Sequence, residues 1–210
     1  MEMESAIEML NSAFKLTSSA GSSTSTSGVT GEDGVPSPPR LSGTKRRRME
    51  REKLLVGMLA TEKAEVAIGM LWKHWFNERG EAARLEMEAV ENLMGGSGLD
   101  PKALERAASK LEKLSSDYQD WAEPLNRLAM VRFLQQRWAD SIELCERVVE
   151  IKPWHFGAIS GLIICYQRKG NSSELVAECV ARNIPPPGPQ RKAWVEKMVR
   201  EIDIRQKFIL

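Results

Sequence analysis

From about Thr61 to the C-terminus, apolar residues recur with the period of an α-helix, and no segment alternates as a β-strand would. The first stripe consists of Ala64, Ile68, Leu71, Trp72, Trp75 and Phe76. A stripe of this kind is stable only when it is buried against another element, and here only other helices are available. The sequence therefore predicts an all-α fold, an antiparallel array of helix hairpins.

Breaks between the stripes set the expected helix ends. Gly80 suits the left-handed position beside a helix end, and a second stripe follows in Ala83, Met87, Val90 and Met94. Asp100 and Pro101 have the form of an N-cap and a first helical residue. The stretch around Gly80 is therefore expected to form a hairpin of two packed helices.

The segment from Ala122 to Gly170 carries the most specific pattern. One helix is expected to carry Leu125, Leu128 and Ala129, and the next to carry Ser141, Cys145 and Val148, ending at Pro153; Phe156 restarts the pattern with Leu162, Tyr166 and Gly170. This register resembles the tetratricopeptide repeat, a helix hairpin of about 34 residues. Among such proteins it is most similar to the plastid-associated type of plants and algae.

Several positions depart from the repeat pattern. Gln136 stands where the family has a turn glycine, and Arg132 where it prefers an aromatic residue. Ile163, Leu175 and Leu85 replace small residues at helix crossings. We expect the two helices of the second unit, which contains Ile163 and Leu175, to be pushed apart or rotated.

The resemblance implies a groove formed by the first helices of successive units. Its expected partner-binding residues are Asn126, Arg127, Met130, Arg132, Ser160 and Ile164. Trp121 and Trp154 occupy equivalent places before adjacent first helices, where they either wedge neighbouring hairpins or line the edge of the groove. For Trp72, Trp138 and Trp194 we expect packing between hairpins.

A proline-rich run, residues 183–189, ends the array and favours an extended link. A final helix is predicted from Gln190, with Trp194, Met198 and Ile202 on one side. Repeat arrays need such a helix to cover their last apolar face. The alternative for the proline run is a polyproline ligand for an aromatic groove.

Residues 1–53 are predicted to form a disordered Ser/Thr-rich leader, and residues 54–210 the helical domain. Residues 17–53 contain five members of the hydrophobic set, too few to offset the entropy of ordering the chain. Before them, Met3, Ile7, Leu10 and Phe14 share one helical face. The leader suggests a chloroplast location, although its acidic residues are atypical of transit peptides; the nucleus and cytoplasm are the alternatives.

The leader ends in a basic run from Lys45 to Lys53, with six basic and two acidic side chains. It is either a solvated linker or a nuclear localisation or phosphate-contacting patch. No aromatic residue interleaves with it, and the whole chain carries a formal charge of +1. Nucleic acid is therefore not the expected partner, and no apolar run is long enough to span a membrane.

We see no active site in the sequence, so the chain is not expected to be an enzyme or to hold a metal or cofactor. Cys145, Cys165 and Cys179 have no close pair of the kind that binds zinc, and the histidines, His74 and His155, have no readable orienting acid. Three roles remain: an adaptor that binds a protein or peptide rather than a small molecule, a structural subunit or assembly factor of a large organelle complex, and a nuclear protein directed by the basic run.

Overall fold

The computed structural model describes residues 43–95, 100–170 and 190–208, which form eight α-helices and no strand. In chain order they are α1 (Gly43–Met58), α2 (Ala64–Phe76), α3 (Glu81–Met94), α4 (Pro101–Asp117), α5 (Ala122–Leu134), α6 (Trp138–Ile151), α7 (Phe156–Arg168) and α8 (Gln190–Phe208). The all-α array that the sequence predicts is confirmed.

Helices α3 to α7 pack against their neighbours in chain order, and α7 also contacts α5. Asp100 caps α4 as expected, because its carboxylate accepts the backbone N–H groups of Lys102 and Ala103. At the crossing of α5 and α6, the Ser141 hydroxyl donates to the Ala129 carbonyl at 2.8 Å. A small residue is required there because the two helix backbones lie close together.

The turns after α5 and α7 have the same backbone conformation. Gln136 has a φ of 59° and Gly170 a φ of 70°, and the two lie 34 residues apart in the sequence. A left-handed residue is thus required at this turn in both places, although one of them is not glycine.

The prediction that the helices before and after Gly80 pack together as a hairpin is wrong. Helix α2 packs on α1 and contacts α5, whereas α3 packs on α4. The stripe of Ala83, Met87 and Val90 is buried with α4, and Leu85 remains 52% exposed. The stripe expected from the sequence is therefore the buried face of α3, but it packs against α4 instead of α2.

The N-terminal boundary of the helical domain is also corrected. Residues 43–53, assigned from sequence to the leader, form most of α1, and Glu52, Leu55 and Val56 of that helix are buried. The helix is amphipathic only in its second half, so its basic first half concealed it. Residues 1–42 lie outside the described residues, as do the proline run and the helix expected around Leu175.

Helix α8 begins at Gln190, as predicted, and among the described helices it packs mainly on α1. The two helices are antiparallel, since Lys53 pairs with Asp203 at 2.6 Å and Gln206 donates to Glu50 at 3.3 Å. The apolar side of α8 joins a second core with α1 and α2; the members from α8 are Trp194, Val195, Met198 and Ile202. This core lies beside the main core of α3 to α7.

Candidate functional site: an apolar cleft between α2, α5 and α7

A cleft of about 260 Å³ opens between α2, α5 and α7, with α6 beneath it. Ile68 and Trp72 form the α2 wall, and Phe133 closes one part of the α5 wall. The remaining lining residues are Asn126, Arg127, Ala129, Met130, Ser141, Cys145, Phe156, Gly157, Ser160, Gly161, Ile164 and Cys165. Apolar and small side chains predominate, so the cleft can desolvate an apolar group. We call it the apolar cleft.

The structure brings together five of the residues expected in the groove. Asn126, Arg127 and Met130 lie on α5 and Ser160 and Ile164 on α7, and all of them line the apolar cleft. Met130 and Ile164 are half-buried and Ser160 is exposed, so these three side chains are accessible. Helical spacing puts the first three on one face of α5 and the last two on one face of α7, which is why spacing alone could group them.

Arg127 lines the cleft but is committed to internal contacts. Its guanidinium donates to Glu123 at 2.8 Å, lies 3.5 Å from Glu91, and stands over the rings of Trp72 and Phe76 at about 6 Å. It is only 4% exposed. Arg127 therefore ties α2 and α3 to α5 and fixes the wall of the cleft.

Arg132 is not part of the cleft. Its guanidinium pairs with Glu112 of α4 and donates to Gln135 at 2.8 Å. Gln135 in turn donates to Glu105 at 3.0 Å. Arg132 therefore ties α5 to α4. The sequence spacing misplaced it because a long basic side chain can follow a neighbouring helix instead of pointing into the groove.

The floor of the apolar cleft is made of small residues and thiols. The Cys165 thiol donates to the Ser141 hydroxyl at 3.2 Å, and a Cβ on Gly161 would lie 3.0 Å from the sulfur of Cys145. Burial raises the pKa of both thiols. These two cysteines fill space in the core, as expected. Their thiols are buried and neutral, and a neutral thiol is a poor nucleophile. Cys179 lies outside the described residues.

A buried polar cluster behind the cleft was not foreseen from the sequence. The Glu52 carboxylate accepts the indole N–H groups of Trp75 and Trp154, at 2.5 and 2.9 Å. It also pairs with the Lys152 ammonium, at 2.9 and 3.0 Å, and that ammonium lies 3.3 Å from Glu78. The cluster therefore joins α1, α2 and the turn between α6 and α7.

Electrostatics keep this cluster ionised. Burial opposes the charge of Glu52, but Lys152 and the indole and ammonium hydrogen bonds outweigh it and lower the pKa of the carboxyl group. Burial likewise opposes the charge of Lys152, and the two carboxylates outweigh it and raise the pKa of the ammonium. The buried Glu52–Lys152 pair therefore holds α1 in a fixed position against the end of α6.

His155 is a positioned side chain with both ring nitrogens occupied. Its Nδ1 accepts the N–H of Ala158 at 3.2 Å, so Nε2 carries the proton and lies 3.2 Å from Glu123. The ring stacks on Trp75 with a centroid distance of 4.3 Å. Since His155 is fully buried, it caps α7 and braces α2, and it has no nitrogen left to accept a substrate proton.

Trp121 and Trp154 wedge neighbouring helices rather than line the groove edge. Both are buried, and Trp121 donates its indole N–H to the Trp75 carbonyl at 2.8 Å. Trp72 and Trp194 are buried between helices as expected, whereas Trp138 is half-buried against Phe133. The equivalence of the two wedge residues was readable from the repeat; their hydrogen-bond partners were not.

The basic run has two sides. Lys45 pairs with Asp120 at 3.5 Å, Arg48 donates to the Glu78 carbonyl at 2.6 Å, and Lys53 pairs with Asp203. Arg46, Arg47 and Arg51 are exposed. About half of the positive charge is thus used to hold α1 on the rest of the fold.

Within the described residues, no group of histidine, cysteine or acidic side chains has the arrangement of a metal site. None of the helices in these ranges combines the length and apolar content needed to cross a membrane.

Fold and cleft together define an all-helical array with an apolar cleft between α2, α5 and α7. A scan against protein-family models finds no match, and searches of curated proteins and of solved structures find none either.

Proposed function

We propose that this chain is a non-catalytic protein-interaction module of tetratricopeptide-like type, and that the apolar cleft holds apolar side chains of a helical or extended partner segment. One observation carries the proposal: accessible side chains of α5 and α7, picked out by the repeat register, line a single apolar cleft. Its volume falls just below the usual range of small-molecule pockets, about 300–1,000 Å³. A cleft of this size suits one or two protruding side chains of a protein.

The chemistry of the walls defines the partner. Met130 and Ile164 offer adaptable apolar contact, and Asn126 can exchange hydrogen bonds with a partner backbone at the rim. Arg127 is already paired with Glu123 and Glu91, so an acidic group is not the primary ligand. The partner segment is therefore expected to carry apolar residues at helical spacing, as in helix-in-groove recognition.

Selection from a displayed library of helical peptides, using the full chain as bait, tests the proposal. The selected peptides should share an apolar pair at i, i+3 or i, i+4. Ser160→Trp, which fills the cleft from an exposed position, and Ile164→Asp should each weaken their binding by at least ten-fold. Leu85→Asp is the matched control, because it alters an exposed apolar residue outside the cleft. Equal binding by all three variants would refute the assignment.

A second candidate is a structural subunit or assembly factor of a larger complex. It is favoured by a shallow groove on the α1 and α8 pair, lined by Leu54, Met58 and Val199, with Leu54 66% exposed. Apolar surface of this kind is often covered by a neighbour in an assembly. Light scattering on native extract decides between the two, since a constant high mass supports the subunit and a free pool near 23.6 kDa supports the adaptor.

The location of the protein is a separate proposal. A chloroplast location would be carried by residues 1–42, since α1 begins at Gly43. A fluorescent protein fused after residue 42 should then enter plastids. A nuclear signal would instead rest on the exposed Arg46, Arg47 and Arg51, and their replacement with alanine in the full chain should abolish nuclear accumulation.

A further inference from the structure

We infer that the apolar cleft has an internal ligand, the segment from Met3 to Phe14 of the same chain. This inference rests on the proposed function, because it names one occupant of the same site. In residues 1–42 one segment has apolar side chains at helical spacing: Met3, Ile7, Leu10 and Phe14. These positions form the narrow apolar face that the cleft is suited to hold.

The tether has the length needed to reach the cleft. Residues 17–42 comprise 26 residues rich in serine, threonine and glycine, and a flexible chain of that length and composition has a root-mean-square span of about 25–31 Å. Its far end enters α1 at Gly43. A linker whose span matches the distance between its ends gives an effective concentration on the order of millimolar.

The contacts of α1 place the end of the tether at the same end of α5 as the cleft rim. Lys45, two residues after Gly43, pairs with Asp120, immediately before α5, and Asn126 at the cleft rim lies about one turn inside that helix. A linker of 26 residues spans up to about 85–95 Å when extended, far more than one helical turn and two side chains.

An internal ligand also accounts for the composition of the leader. A peptide of this length is a marginal helix in water, so its apolar face is stabilised only against another surface. Binding in the cleft would couple helix formation to burial of Leu10 and Phe14, and the linker would lower the entropic cost. The segment would then compete with an external partner that presents the same chemistry.

Photo-cross-linking in the full chain tests the inference. Phe14 is replaced by the photoreactive benzoylphenylalanine, and Val29 in the linker is replaced in the same way as the control. We expect intramolecular cross-links from position 14 to peptides containing Met130, Ser160 or Ile164, at a yield at least five-fold above that from position 29. Ser160→Trp should remove this excess, and Leu85→Asp should leave it intact.

Three outcomes would overturn the inference: equal yields from positions 14 and 29, cross-links to the Leu54 groove, or products that are intermolecular and depend on concentration. A second measurement does not rely on cleft variants that could misfold. The Ile7→Asp, Leu10→Asp double variant of the full chain should bind a library-selected peptide at least three-fold more tightly than the unmodified chain, because the competitor is weakened. Unchanged affinity contradicts the internal ligand.

The two proposals fail separately. If Ser160→Trp abolishes binding of the selected peptide while position 14 gives no specific cross-link, the cleft is a binding site but has no internal ligand. If the selected peptide ignores Ser160→Trp, the proposed function itself is wrong, whatever the cross-links show.

Discussion

The Lys152 ammonium, at the end of α6, lies 2.9 Å from the Glu52 carboxylate of α1, one hundred residues earlier in the chain. Both side chains are buried, and the same carboxylate accepts the indole hydrogens of Trp75 and Trp154. This pair joins the second core of α1, α2 and α8 to the array. It also places α2 where Trp72 can form a wall of the apolar cleft.

Glu52→Gln is expected to lower the free energy of unfolding by about 3 kcal/mol, because it leaves the Lys152 charge buried without its main partner. Adding Lys152→Met should restore part of that loss, with a coupling energy of about 0.5–3 kcal/mol. Urea denaturation measures both. The control is Lys53→Met on the same helix as Glu52, which removes a partly exposed pair with Asp203 of α8 and should have a much smaller effect. Equal losses from Glu52→Gln and Lys53→Met would contradict the role of the buried pair.

His74 gives the fold a defined acid sensitivity. Burial lowers its pKa from 6.5 to about 4, and although Glu52 favours the charged form, the charges of Lys152, Arg51 and Arg48 add to the lowering. The unfolded chain therefore binds this proton at higher pH than the folded chain does. The stabilising contribution of neutral His74 is fully present above its unfolded pKa of about 6.5. It is lost as the pH drops toward 4, and the free energy of unfolding falls by about 2 kcal/mol between pH 6.5 and 4.5.

The His74→Gln variant should lack this part of the pH dependence. Glu52 and Glu123 have lowered pKa values, so their contributions are lost only below their unfolded value of about 4.5 and do not affect the comparison. Urea midpoints at pH 6.5 and 4.5 for both proteins provide the measurement. Parallel pH slopes for the variant and the unmodified chain would show that another group is responsible.

Local patterns in the sequence predicted much of the fold. The apolar period predicted α2 to α7, the Asp100 cap and the start of α8 at Gln190, because each depends on residues within a few turns. The same register located Met130, Ser160 and Ile164 on one surface. These features are local or repeat at a fixed interval, so periodicity alone can find them.

The misses depend on contacts that are distant in sequence. Nothing around Glu52 indicates that Lys152 will neutralise it, so residues 43–53 of α1 were assigned to the disordered leader. Helix α8 packs on α1, at the other end of the described chain. The periodicity of apolar residues shows that a helix has a buried face, but it does not show which other helix packs against that face. Arg132 was misplaced for the same reason, since its partner Glu112 lies on the preceding helix.

The left-handed turn residue Gln136 predicts a stabilising substitution. Its φ of 59° carries a steric cost of roughly 1–2 kcal/mol for a residue with a Cβ, and glycine avoids most of it. Gln136→Gly should therefore raise the free energy of unfolding by up to about 1 kcal/mol. Gly170→Ala, at the equivalent turn with a φ of 70°, should lower it. Thermal melting of the two variants checks the pair, and a change of the same sign in both would be inconsistent with this account.

Two truncations test the corrected boundary of the helical domain. A chain beginning at residue 43 retains all of α1, whereas one beginning at Leu54 loses Glu52 together with Arg48, which donates to the Glu78 carbonyl. The second chain should be less stable than the first by about 3 kcal/mol, because Lys152 loses its main partner Glu52 and keeps only Glu78 at 3.3 Å. The difference isolates residues 43–53 from any effect of the leader. Equal urea midpoints for the two chains would restore the boundary at residue 54.

Gly157 of α7 lies directly against Trp72 in the cleft wall, and its substitution should be costly. A Cβ at this position would overlap the outer carbons of the Trp72 ring, whose own neighbours Trp75, Phe156 and His155 leave it little room to move. Gly157→Ala should therefore lower the free energy of unfolding by about 1–3 kcal/mol and displace Trp72.

Gly69 of α2 is the matched control for this substitution. It is also a helical glycine, but a Cβ there meets nothing within 4 Å, so Gly69→Ala should raise stability by about 0.4–1 kcal/mol. Urea denaturation measures both changes, and tryptophan fluorescence reports any displacement of Trp72. If Gly157→Ala proves as well tolerated as Gly69→Ala, Trp72 is not held against α7, and the α2 wall of the apolar cleft must be placed elsewhere.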